Sequence, residues 1–253
     1  LLMKLLTIAL ILSLSLSAQG ANDIDAKLKA AMAAESRPQA HVARDPNRNP
    51  LATLNFFGLK DNMHVLELIP GGGWYTRLLA PVLAENGKLY LMIGTNYVKQ
   101  NIIGTPDFEK VELLESNENV NRSDWYRYIT RNAEPNDFDA GVNELDMVLT
   151  FRNLHNFSKE VRQMMNSQAF KALKHGGHYG VVDHTRRHME KENNENGRRI
   201  DPVLVIKEMT DIGFEFVDYS DLHFRADDEL EYEVGRRSVS GNTDRFTMLF
   251  RKP

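Results

Sequence analysis

The sequence contains no cysteine among its 253 residues. This absence excludes disulfide bridges, zinc and iron–sulfur sites built on thiolates, and cysteine nucleophiles. The chain also lacks an excess of positive charge, since 31 Lys and Arg face 35 Asp and Glu for a net charge of −4. We therefore do not expect nucleic acid to be its main partner. With 42% apolar residues, it has material for one sizeable core.

The first residues carry an apolar run that is not expected to be part of the fold. Met3 and Lys4 precede the run Leu5–Ser17, which is followed by Ala18, Gln19 and Gly20. This order predicts a signal peptide over residues 1–20, and hence a periplasmic or secreted bacterial protein with no stable membrane insertion after cleavage. A retained N-terminal anchor is the alternative, although the run is shorter than the roughly 20 residues of a spanning helix.

The remaining chain alternates predicted strands and helices. Residues 21–48 are expected to form a helix over 23–34 and a polar, irregular arm, and a domain over 49–253 begins with a helix that Pro50 opens. Strands are predicted over 64–69, 88–93, 146–151, 178–182, 214–219 and 245–251, and helices over 74–85, 158–174 and 201–212. One further strand, the third, falls over either Lys110–Leu114 or Tyr126–Thr130 in an otherwise irregular segment. This alternation predicts a parallel sheet covered on both faces, with an antiparallel end formed by the last two strands.

A glycine-rich turn follows the first strand of this alternation, where open α/β sheets bind ligands. It consists of Gly71, Gly72 and Gly73 and is preceded on the strand by Glu67. Thr76 stands where a dinucleotide fingerprint has its last glycine, and the Gly-Lys-Ser/Thr of a P-loop is missing. A nicotinamide-dependent oxidoreductase is therefore disfavoured.

An acidic residue followed by glycines spaced by two resembles motif I of the class I S-adenosylmethionine-dependent methyltransferases. Further segments, at 56–59, 70–76, 79–81, 149–156 and 245–253, look like an exported bacterial branch of predicted methyltransferases. The resemblance implies a Rossmann-like, seven-stranded α/β sheet of order 3-2-1-4-5-7-6 with helices on both faces. It also implies S-adenosylmethionine as cofactor, bound in part by Glu67, Gly71, Gly72 and Gly73, and a small-molecule methyl acceptor of unknown identity.

Two positions depart from that family's pattern. Ile69 stands where motif I has its first glycine, and Ile93 stands where an Asp or Glu usually holds the ribose hydroxyls. Losing such a charge-assisted pair of hydrogen bonds weakens nucleoside binding by roughly 1.5–3 kcal/mol. Thr95 or Asn96 is expected to substitute for the missing carboxylate.

Polar side chains follow the fourth predicted strand, at the sheet edge that also carries the glycine turn. Arg152 and Asn153 are predicted to bind the cofactor, and His155 is the candidate general base because histidine exchanges protons near neutral pH. The alternative is that these polar groups only cap the loop and the helix that follows.

Asp183 and His184 follow the fifth predicted strand at the same edge and are predicted to face the substrate as catalytic residues. A metal site formed by them and His188 is a weaker alternative, so no metal is expected.

Trp74 and Tyr75 either wall the cofactor cleft or pack the following helix on the sheet. The polar run 188–199 is either a lid or, preferably, a solvated loop.

Two functions follow from these features. The leading hypothesis is an exported S-adenosylmethionine-dependent methyltransferase acting on a small molecule. The alternative is a non-catalytic small-molecule-binding protein on a degenerate methyltransferase fold in the periplasm, suggested by Ile69, Ile93 and the export signal.

Overall fold

The computed structural model describes residues 23–114 and 138–253. The predicted signal peptide at 1–20 and the alternative third strand at 126–130 lie outside these ranges. Within the described ranges, no helix combines the length and the apolar character that a bilayer crossing requires.

The N-terminal part is more ordered than the sequence suggested. Helix α1 occupies residues 23–33, and the arm expected to be irregular contains two short helices, α2 (Gln39–Val42) and α3 (Asp45–Arg48). The Arg37 guanidinium donates to both carboxylate oxygens of Asp45 at 2.7 and 2.8 Å. This pair joins a residue shortly before α2 to the first residue of α3 and so holds the arm in place. Helix α4 (Pro50–Phe56) then begins at a proline, as expected.

The rest of the domain alternates strands and helices. The strands are β1 (His64–Leu68), β2 (Lys88–Met92), β3 (Glu112–Leu114), β4 (Leu145–Phe151), β5 (Leu173–His184), β6 (Glu215–Ser220) and β7 (Arg245–Arg251). The helices are α5 (Thr76–Leu83), α6 (Asn96–Asn101), α7 (Lys159–Ala172) and α8 (Pro202–Ile212), with a 3₁₀ turn at Leu154–Asn156. The third strand therefore falls at the first of its two predicted places. Helix α6 was not expected, and α5 begins two residues late because residues 71–75 form consecutive turns.

The seven strands form one sheet of order β3-β2-β1-β4-β5-β7-β6. The pairs from β3 to β5 are parallel, whereas β7 runs antiparallel to both β5 and β6. This order and its antiparallel end confirm the fold that the sequence predicted. Because β7 is antiparallel, its first residue Arg245 lies opposite His184, the last residue of β5.

Both faces of the sheet are covered, as predicted. On one face Val161 and Met165 of α7 and Met209 of α8 are buried against the sheet. On the other face Leu28 of α1 and Leu78 of α5 are buried together with residues of α4 and α6. The two layers hold the carboxyl ends of β1, β2, β4 and β5 along one common edge.

Candidate functional site

Three neighbouring parallel strands are each followed by a residue in the left-handed backbone conformation. These residues are Ile69 (φ 56°) after β1, Ile93 (φ 70°) after β2 and Arg152 (φ 64°) after β4. Such a conformation costs about 1–3 kcal/mol for a residue with a side chain, and it concentrates at functional sites. The side chains of both isoleucines pack on the core of the α7–α8 face, so neither is directed away from that core.

The glycine turn has space on its outer side and tight packing on its inner side. A Cβ atom added to Gly71 or Gly72 would meet no other atom within 4 Å, whereas one added to Gly73 would clash with Ile102 of the segment after α6. Gly71 and Gly73 also have φ values of 57° and 73°, which favour glycine. A ligand can therefore approach the backbone at Gly71 and Gly72, while Gly73 is required for packing.

Glu67 lies beneath this turn with only 2% of its surface exposed. The Thr76 hydroxyl donates to its Oε2 atom at 2.6 Å, so the carboxyl group joins β1 to the first residue of α5. Burial raises the pKa of Glu67 to about 7, although the Thr76 hydrogen bond and the Arg48 charge both act to lower it. This contact ties the strand to the helix on either side of the glycine turn.

The end of β2 presents a hydroxyl and an amide instead of the usual carboxylate. Thr95 is buried before α6 and its side chain makes no capping hydrogen bond, while Asn96 is exposed at the first position of that helix. Because β2 neighbours β1 in the sheet, both residues lie beside the glycine turn. Their predicted contact with the cofactor stays a prediction.

The side-chain amide of Asn153 connects two strand ends. It donates to the Leu68 carbonyl at 3.2 Å and to the Thr150 hydroxyl at 3.0 Å, with a longer contact to the Ile69 carbonyl. Asn153 therefore supports the backbone that leads into the glycine turn. Its predicted direct contact with the cofactor is not tested by this geometry.

His155, Asp183 and His184 meet at the ends of β4 and β5. The Nδ1 atom of His155 lies 2.5 Å from Asp183 Oδ1, and the backbone amide of His184 donates to the same oxygen at 2.7 Å. Burial alone would raise the pKa of Asp183, but the neighbouring His155 and the hydrogen bonds hold it below its usual range. An ionised, buried carboxylate thus fixes the ring of His155.

The two histidines differ in their chemistry. Burial lowers the pKa of His184 to about 2, against the opposing effect of Asp183, and the Thr243 hydroxyl lies 2.9 Å from its Nδ1 atom. His184 is therefore neutral at physiological pH. Of this pair, His155 is the candidate for proton transfer.

A cavity of about 490 Å³ lies over this group, between the ends of β4 and β5 and the start of β7. Its wall includes both histidines and four arginines, Arg44, Arg152, Arg198 and Arg245. Sequence reasoning missed Arg44, Arg198 and Arg245 as site residues. Arg245 had a usable signal, because an antiparallel last strand begins at the edge where the parallel strands end. Arg44 belongs to the arm and carried no such signal.

Trp74 and Tyr75 are buried side chains. The Trp74 Nε1 atom donates to the His41 carbonyl at 3.0 Å, and the Arg48 guanidinium lies 4.4 Å from the Trp74 ring. The Tyr75 ring is stacked on Phe151 at a centroid distance of 3.5 Å. The structure therefore favours packing over a cleft wall as the role of both aromatic residues.

The weaker metal alternative loses its third ligand. The Nδ1 atom of His188 lies 2.9 Å from Asp201 Oδ2 and not beside Asp183. Among residues 23–114 and 138–253, no three His, Asp or Glu side chains are grouped to hold a metal ion.

The polar run 188–199 is exposed from residue 191 to 195. It ends at buried Arg199, which pairs with Asp228 at 2.9 Å. A solvated loop therefore describes this run better than a lid.

No protein-family model and no curated protein matches the sequence. Solved structures do match the fold. A methyltransferase from Aquifex aeolicus that depends on S-adenosylmethionine is 18% identical over 83% of this chain and 93% of its own, with a TM-score of 0.56. The (4+2)-cyclase SpnF is 13% identical over 87% and 85%, with a TM-score of 0.53.

The glycopeptide N-methyltransferase MtfA, solved with sinefungin, is 12% identical over 83% of this chain and 87% of its own, with a TM-score of 0.52. At these identities the likeness establishes the fold alone. The protein has the class I S-adenosylmethionine-dependent methyltransferase fold, and that fold is shared with a protein named as a cyclase.

Proposed function

We propose that the protein is a methyltransferase that uses S-adenosylmethionine and methylates a small molecule. The observation that carries this proposal is the glycine turn after β1, where Gly71 and Gly72 leave free space above a buried Glu67 in a class I methyltransferase sheet. The chemistry supplied with the bound cofactor is a methyl group on a positively charged sulfur.

The residues around the turn fit this cofactor in shape and in charge. The backbone at Gly71 and Gly72 would approach its methionine part, because no side chain fills the space there. Glu67 gains negative charge as the pH rises past about 7, which favours a ligand that carries an ammonium group. Thr95 and Asn96 would offer hydrogen bonds to the ribose hydroxyls.

His155 is placed to accept the proton of the methyl acceptor. Its Nδ1 atom is held by Asp183, and the residue lines the cavity, which leaves Nε2 for a hydroxyl or amine of the acceptor. The Asp183 carboxylate would stabilise the resulting imidazolium, as an acid behind a histidine base does. Arg152, which the sequence assigned to the cofactor, lines the same space as His184, and both side chains would position the acceptor.

Thermal unfolding with S-adenosylhomocysteine and S-adenosylmethionine tests this proposal. Gly72→Ala places a methyl group in the free space without backbone strain, so we expect an unchanged midpoint without ligand and a loss of most of the ligand-induced stabilisation. Gly197→Ala is the matched control, since its added methyl group makes only ordinary contact and lies outside the turn. Equal ligand responses in both variants would contradict binding at the turn.

A non-catalytic binding protein is the second candidate, favoured by the buried Ile93 in place of the ribose-binding carboxylate. In that case neither cofactor form shifts the unfolding midpoint, while another small molecule does, and His155→Ala leaves that response intact.

The sequence before residue 21 supports export to the periplasm or the medium. N-terminal sequencing of the protein purified from cell fractions tests this part, since processing near residue 20 is expected for a cleaved signal.

A further inference from the structure

The arginines around the cavity differ in whether an acid neutralises them. Arg198 is paired with Glu233. In the described part of the chain, Arg44, Arg152 and Arg245 have no ion pair with a carboxylate. Three guanidinium groups thus face one space without a partner of opposite charge at contact distance.

The hydrogen bonds of these three arginines leave much of their donor capacity unused. Arg44 donates to the Gly241 carbonyl at 3.1 Å, and Arg245 donates to the carbonyls of Thr243 and Asn47. The described residues offer no hydrogen-bond acceptor to the Arg152 side chain. Each guanidinium has five N–H donors, so most of them are available to a ligand.

Burial and mutual repulsion act on these charges. Burial lowers the pKa of Arg152 despite the attraction of Tyr75 and Asp183, and burial lowers the pKa of Arg245 to about 10, with Arg152 adding to the effect. An arginine side chain does not lose its proton at neutral pH, so both groups carry their charge. Buried cations without a partner are costly, so such a cluster is expected where an anion completes it.

The acid that attracts Arg152 does not fill this role. Asp183 attracts Arg152, but its oxygens already accept hydrogen bonds from His155 and from the His184 backbone amide. The cavity therefore keeps a positive surface directly beside the candidate base. Its volume of about 490 Å³ fits a small metabolite.

We propose that Arg44, Arg152 and Arg245 bind a carboxylate or phosphate group of the methyl acceptor. The acceptor would then be a small organic acid or phosphate ester whose hydroxyl or amine lies next to His155. Arg152 and Arg245 hold the anion from the sheet edge, and Arg44 closes over it from the arm. The assignment of this anion to the methyl acceptor rests on the proposed function. The anion site itself does not.

Thermal unfolding and calorimetric titration with pyrophosphate and with citrate test the site, with potassium chloride at matched ionic strength as the reference. We expect saturable stabilisation by pyrophosphate, citrate or both. Arg152→Gln should weaken that binding at least about tenfold, because a charge-assisted contact is lost. Arg44→Gln, a change in the arm, should weaken it as well.

Arg237→Gln is the matched control, since it removes the same charge from an exposed residue outside the cavity. Circular dichroism checks that each variant is folded. A response no larger than that of potassium chloride, or an equal loss in the Arg152 and Arg237 variants, would overturn the proposal.

Titration with S-adenosylhomocysteine in saturating anion separates this proposal from the previous one. Simultaneous binding supports an acceptor site apart from the glycine turn, whereas competition would overturn its assignment to the acceptor. Anion binding without any cofactor binding would contradict the methyltransferase and leave the anion site in place. Cofactor binding without an anion response would contradict the anion site and leave the methyltransferase proposal in place.

Discussion

The two halves of one sheet edge carry opposite electrostatic character. At the ends of β1 and β2, the glycine turn is set among apolar side chains and over one buried acid, Glu67. At the ends of β4 and β5, the cavity is lined by arginines and histidines. A cationic ligand suits the first half and an anionic ligand suits the second. Under the proposed function, the two halves would separate a positively charged methyl donor from an acceptor that carries a negative group.

Asp183→Asn removes the buried negative charge from the cavity half of the edge. Asp183 is fully buried and paired with His155, so removing its charge is expected to lower the free energy of unfolding by about 3–5 kcal/mol. Urea unfolding at neutral pH measures the loss. Asp139→Asn, at an exposed pair with Lys171, should cost less than about 1 kcal/mol. Similar small losses in both variants would contradict the role of Asp183 in holding the site.

Glu67→Gln removes the buried acid from the half of the edge that carries the glycine turn. The folded pKa of Glu67 is raised to about 7, so the wild type loses stability as the pH rises from about 4.5 to about 7 while the variant does not. The variant should therefore gain about 2–3 kcal/mol relative to wild type between about pH 5 and about pH 8. Urea unfolding at both values measures this gain.

The same variant should also bind S-adenosylhomocysteine more weakly, because the ammonium group loses a negative neighbour. A gain in stability without any loss of cofactor binding would limit Glu67 to a structural role.

His223→Gln tests how the arm is fastened to the cavity half. The Nε2 atom of His223 donates to the Arg48 carbonyl at 2.9 Å, and burial lowers its pKa to about 4. A buried neutral histidine stabilises the fold above about pH 6.5, and this contribution is lost as the pH falls toward the folded pKa.

The wild type should thus lose about 2 kcal/mol through His223 between about pH 7 and about pH 5. The variant should show a shallower pH dependence in urea unfolding. A slope as steep in the variant as in the wild type would contradict this contribution of His223.

Ile69→Gly is expected to have the smallest effect. The side chain loses its packing on the core, but the left-handed backbone is relieved, so the net change should stay below about 1.5 kcal/mol. Leu68→Gly, one residue earlier in regular strand, has no such relief and should cost more than about 3 kcal/mol. Equal losses would mean that the backbone at residue 69 is not strained.

The sequence predicted the sheet better than it predicted the cavity. Strand spans such as Arg245–Arg251 follow from short apolar runs, and the strand order came from a resemblance that the topology confirms. His155 and Asp183 were predicted to lie at the same edge of the sheet because each was placed at the end of a parallel strand, and the structure brings them into contact there.

The arm and its contribution to the cavity wall could not be predicted from sequence patterns. Its helices span four residues each, too short for a periodic pattern, and Arg37 and Asp45 hold them by a pair that no pattern indicates. Arg44 and Arg245 reach the cavity from opposite ends of the chain. Only the folded structure shows that their charges share one space.

Calorimetric titration of the protein with S-adenosylhomocysteine tests the central claim most directly, because it requires no knowledge of the acceptor. We expect saturable heat with one ligand per chain, reduced in Gly72→Ala and retained in Gly197→Ala. Absence of heat with millimolar ligand, together with an unchanged unfolding midpoint, would contradict a cofactor site at the glycine turn.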